Sequence, residues 1–94
     1  RTRRGDTALL VAAAAGHASV VATLLKARAP LDASNAHGDT ALIVAARGGH
    51  RDVCEALLAA GANARLRNAD RLTAAEAATL RGFGPLAKVL EGRG

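Results

Sequence analysis

Apolar residues in this chain come in short clusters at helical spacing, and the clusters return at a fixed interval. Val20, Val21, Leu24 and Leu25 form one such face, and Val53, Cys54, Leu57 and Leu58 repeat it 33 residues later. Thr7, Thr40 and Thr73 share the step, as do Ala12, Ala45 and Ala78, and Gly16, Gly49 and Gly82. Residues 5–37 laid over 38–70 are identical at 17 of 33 positions. Abundant Ala raises that number, but it does not explain the matching Gly, Thr, His and Asn. The pattern predicts three units, 5–37, 38–70 and 71–94, each a pair of helices.

Within a unit the signals fall in a constant order. Gly5-Asp6-Thr7 and Gly38-Asp39-Thr40 read as turns whose Thr caps a helix, with Asp placed where the helix dipole favours negative charge. First helices are predicted over Ala8–Ala15, Ala41–Gly48 and Ala74–Arg81, and Gly16, Gly49 and Gly82 end them in the left-handed conformation. Second helices are predicted over Ser19–Ala27, Asp52–Ala60 and Pro85–Glu91, the Pro being acceptable in a first turn. Ala29–Asp39 and Ala62–Leu72 lack helical periodicity and read as projecting hairpins or extended loops. Neither helix pair can bury its apolar sides alone, so like must stack on like. The expected fold is an all-α solenoid of helix-turn-helix units with β-hairpin-like loops.

Composition narrows this further. Of 94 residues half are hydrophobic, yet only Phe83 is aromatic, so Ala, Leu and Val must build the core through close helix contacts. The net charge of +5 favours acidic partners without specifying nucleic acid. A lone Cys54 excludes an internal disulfide and fits a reducing compartment, the cytoplasm or nucleus. The longest apolar run, Ala8 to Ala15, is too short to insert in a membrane.

These residues resemble the ankyrin repeat family. The 33-residue period, the Gly-x-Thr-x-Leu-x-x-Ala-Ala opening, the Gly-His before the second helix, Leu24-Leu25, Leu57-Leu58 and the Gly61-Ala62-Asn63 turn all match it. Three departures stand out. The family's Thr-Pro-Leu-His is here Thr7-Ala8-Leu9-Leu10 and Thr40-Ala41-Leu42-Ile43, so apolar contact must replace the His. Arg28 stands where the next unit has Gly61, and a positive φ there would strain it. The third unit has Ala75, Glu76, Phe83 and Glu91 where the second has Leu42, Ile43, His50 and Leu58. Thr73-x-x-Glu76 then reads as a capping box, and the added polarity as a C-terminal cap. The first unit has no polar outer side, so upstream repeats of the same parent chain, or another molecule, are expected to cover it.

Chemistry is sparse. Ser19 and Ser34 sit in no nucleophile elbow, Cys54 lies on an apolar helix face, and His17, His37 and His50 show no metal-ligand spacing. His17 and His50 are expected to bond backbone at the entrance of the second helix. There is no phosphate loop or dinucleotide fingerprint, so neither an enzyme nor a cofactor is expected. The resemblance implies a protein-binding scaffold whose partner meets the loop tips and the concave side of the first helices, and the net positive charge favours an acidic segment as that partner. By position the expected contacts are Asp6, Ala14 and Ala15; Ala36, His37, Asp39 and Arg47; and Ala69, Asp70, Leu72, Leu80 and Arg81. The alternative is a basic module associating with nucleic acid or another polyanion. Clusters such as Arg65-Leu66-Arg67 favour it, but the scarcity of aromatic platforms counts against it.

Overall fold

Thr at the head of the second and third units does what its position predicts. In the computed structural model, which describes residues 8–28, 31–32 and 34–92, Thr40 Oγ1 accepts from the Ile43 amide at 3.3 Å. Thr73 goes further. Its hydroxyl accepts from the Glu76 amide at 3.2 Å, and the Glu76 carboxylate accepts from the Thr73 amide at 3.0 Å, completing the capping box. Thr7 lies outside the described residues.

Six helices result among the described residues: α1 Ala8–Ala15, α2 Ala18–Lys26, α3 Ala41–Arg47, α4 Arg51–Ala59, α5 Ala74–Leu80 and α6 Gly84–Gly92. They fall within a residue of the predicted bounds. Each first helix ends in the same way. The amides of His17, His50 and Phe83 reach back to the carbonyls of Ala12, Ala45 and Ala78, while Gly16, Gly49 and Gly82 take positive φ. Glycine is needed at two of these sites for space as well. A Cβ on Gly16 would lie 2.6 Å from the His50 ring, and one on Gly49 would lie 2.7 Å from Phe83. The ring of one unit therefore rides over the glycine turn of the unit before it.

First helices stack α1 on α3 on α5, each packs on its own second helix, and α2 packs on α4. Ala12, Ala13, Ala41, Ala45, Ala46, Ala74, Ala77 and Ala78 are buried along these seams, and their small side chains let the helices approach closely. Leu9, Val21, Leu42, Ile43, Val53, Cys54, Leu57 and Leu90 fill what remains. Ile43, in place of the family His, is fully buried among apolar neighbours. Burial of Cys54, with Glu55 beside it, pushes its thiol pKa up to about 12, so it packs as a hydrophobe.

Of the two forms expected for the connecting segments, hairpin or extended loop, the structure shows loops. No strand forms among the described residues, and the first loop keeps a single antiparallel bridge, Ser34 to Thr40. The reason is local: an Asn side chain does what a second strand would do. Asn35 Oδ1 accepts from the amides of His37 and Asp39, and Asn68 Oδ1 accepts from those of Asp70 and Leu72. The tips are joined, the Ala69 amide donating to the His37 carbonyl at 2.9 Å.

Candidate binding surface

The residues expected at a partner surface are divided between two hollows and the loop tips. Asp6 lies outside the described residues. Ala14 and Arg47 come together in a groove between α1 and α3, completed by Leu10, Val11, Ala15, Asn35 and Val44 and enclosing about 510 Å³. Leu72 and Leu80 lie instead at the outer side of the third unit. With Glu76, Thr79 and Glu91 they line a second hollow of about 380 Å³. Ala36, His37, Ala69 and Asp70 are exposed at the loop tips, and Arg81 is exposed just beyond α5; none of these five lines either space.

Asp39 requires a correction. It was expected to favour the helix dipole and to meet a partner, but it is only 3% exposed. One carboxylate oxygen accepts from Arg47 Nη2 at 3.0 Å and the other from Asn68 Nδ2 at 2.9 Å. A buried carboxylate needs such partners, since an unpaired charge away from water is strongly unfavourable. Asp39 therefore acts inside the molecule. It ties α3 to the second loop and holds the Arg47 side chain in place.

His17 and His50 also differ from expectation. His50 donates from Nε2 to the Ala14 carbonyl at 3.2 Å, so it bonds backbone of the preceding unit and not the start of its own helix. His17 is exposed and makes no side-chain bond at the start of α2, while His37 is exposed at the loop tip, as expected. Among the described residues, no three His, Cys, Asp or Glu side chains are placed to hold a metal ion, and no helix is long and apolar enough to cross a membrane.

Three contributors were missed. Val11, 58% exposed, forms part of the groove wall although its partner by spacing, Val44, is buried. Asn35 and Asn68 shape both loops, and Asn68 anchors Asp39. Their spacing of 33 residues was visible, but the spacing alone does not say what the amides hold.

In the third unit the carboxylate of Glu76 stays below the usual Glu range. The main cause is its bond from the Thr73 backbone; the Arg67 guanidinium, 3.4 Å away, adds to it. That outer side is thus apolar at Leu72 and Leu80 and charged at its rim.

Comparison with known families agrees with the stacking. A profile described as ankyrin repeats (3 copies) matches residues 1–68, up to the loop that precedes α5. No curated protein matches the chain.

Proposed function

The chain belongs to the ankyrin repeat family, and on that footing we propose that it is a non-catalytic scaffold that binds another protein in the groove between α1 and α3. The observation that carries this reading is the pairing of apolar exposure with a fixed charge. Val11 presents apolar surface to solvent in the groove wall, and Arg47 stands in the same groove, held by a buried carboxylate. Exposed apolar surface beside an oriented Arg suits an interface, where Arg is enriched among the residues that dominate affinity. The linked loop tips, with Ala36, His37 and Asp70 exposed, extend the rigid surface on one side. A preformed surface loses little conformational freedom on binding.

The ends of the stack complete the reading. Glu76 and Glu91 are exposed where the middle unit has buried Ile43 and Leu58, so the outer side of the third unit suits water as an end cap. In the first unit Val20 stays 47% exposed, which suits cover by a further unit or another molecule.

The test is affinity capture from the source cell with the parent chain and with Val11→Asp, Arg47→Glu and Lys88→Glu, each checked for helicity. Lys88 is an exposed residue of α6 and serves as the control. Captured protein should be lost with the first two variants and kept with the third. Equal retention by all of them would show that the groove is not the binding surface.

A further inference from the structure

Resting on that reading of the groove, we infer that its occupant is a peptide segment carrying a carboxylate next to a branched apolar residue, with the carboxylate on Arg47. Among the described residues, Arg47 is the only charged one lining the groove; Asn35 is polar, and Leu10, Val11, Ala14, Ala15 and Val44 are apolar. The equivalent position is Ala14 in the first unit and Leu80 in the third, so the row of first helices carries one cation, in the middle. A ligand that follows this row meets apolar surface, then a guanidinium.

The guanidinium already holds the Asp39 carboxylate and keeps donors for a second one. Its five N–H donors fit a carboxylate in paired fashion, and Asp39 takes up Nη2 alone at 3.0 Å. Asp39 is buried and held on its other oxygen by Asn68, so it fixes the rotamer of Arg47 while remaining out of a ligand's reach. The Arg47 side chain keeps 37% of its surface open. Rotamer freedom that a long side chain usually loses on binding is already lost here, so a ligand carboxylate gains more from the contact. The net charge of +5 adds attraction at long range.

The same features disfavour a nucleic acid. A phosphate backbone gains affinity from many cations along its track, and this groove offers one. Its apolar walls, Val11 and Val44 among them, would leave most phosphate oxygens without a donor. A basic segment would bring like charge to Arg47.

The experiment titrates the isotope-labelled chain with acetyl-Val-Glu-Leu-amide, its Gln analogue and a short oligothymidylate. The resonances followed are the Arg47 Nε–H and the Val11 methyls. The Glu peptide should shift both and bind about tenfold tighter than the Gln peptide, the scale of a hydrogen bond to a charged group. In Arg47→Gln the two peptides should bind alike. Asp39→Asn should narrow their difference while both still shift Val11. Equal affinity of the Glu and Gln peptides for the parent chain, with Val11 still shifting, would overturn the carboxylate assignment and leave the groove standing. Failure of every peptide to move Val11 would remove the groove itself. Tighter binding of the oligothymidylate, falling steeply with salt, would replace the peptide with a polyanion.

Discussion

The first and second units have nearly the same pattern of apolar residues, yet they bury it differently. Val53 on α4 is 1% exposed, whereas Val20, one repeat earlier on α2, is 47% exposed. Leu57 is fully buried where Leu24 is half-buried, and Val44 is buried where Val11 stands open in the groove. The side chains and helix positions are alike, so the difference comes from neighbours. The middle unit has a unit on both sides; among the described residues, the first has one only. In a stack, burial belongs to the seam more than to the residue, and each apolar face stabilises in proportion to what covers it.

That contrast is sharpest at equivalent leucines. Leu57→Ala should cost about 3–4 kcal/mol, the middle of the range for an enclosed side chain, because a cavity is left in the central unit. Leu24→Ala should cost about 1–2 kcal/mol, since much of that side chain already meets water. Urea unfolding followed by circular dichroism measures both. Equal losses would mean that Leu24 is covered in solution and that the difference between the two seams does not exist.

Loop backbones offer a second comparison, with smaller effects. Gly38 and Gly61 both take positive φ, but a Cβ at Gly38 would lie 3.0 Å from the Ala69 amide nitrogen, while one at Gly61 would meet nothing within 4 Å. Gly38→Ala should therefore destabilise by about 2 kcal/mol and Gly61→Ala by about 1, the first combining a steric cost with the cost of the left-handed conformation. Arg28 is the natural counterpart of Gly61 and adopts φ of 63°; Arg71 is that of Gly38, at 64°. Arg28→Gly should raise stability by about 0.5–1 kcal/mol, relieving the strain against a gain in unfolded-state freedom. A loss of stability on that substitution would show that Arg28 makes a contact worth more than its strain.

Much of this fold was legible because its signals are local. The step of 33 residues, the Thr caps and the Gly stops depend on residues a few positions apart, and the helices end where those signals stand. The strain at Arg28 was legible by the same alignment, through Gly61. Arg71 could have been found in that way too, from Gly38. What could not be read was any property that depends on which seam a residue faces. Asp39 looked like a surface acid beside a helix start, but Asn68, 29 residues away, closes over it. Leu72 and Leu80 looked like members of the Arg47 surface. Together with Glu76, which stands where the middle unit has Ile43, they line a hollow of their own. Periodicity gives the face of a helix, and only the three-dimensional stack says what covers that face.

The smallest expected effect separates the two Thr caps. Thr40 and Thr73 both hold an amide three residues on, but the third residue is Ile43 in one case and Glu76 in the other. Because the Thr73 amide and the Arg67 guanidinium hold the Glu76 carboxyl below its ordinary value, its charged form is favoured in the folded chain. A depressed pKa contributes stability that is complete above the unfolded-state value and is lost as pH falls through the folded-state value. Glu76→Gln keeps a side-chain acceptor for the Thr73 amide and removes the charge. The melting temperature of the parent chain should therefore exceed that of Glu76→Gln at neutral pH, and the gap should close as the pH drops through and below the carboxylate range. Ile43→Val at the other cap should show a pH-independent difference. Thermal melts across an acidic pH series provide the measurement. A gap between the parent and Glu76→Gln that stayed constant to the lowest pH would mean that the charge of Glu76 adds nothing to the cap.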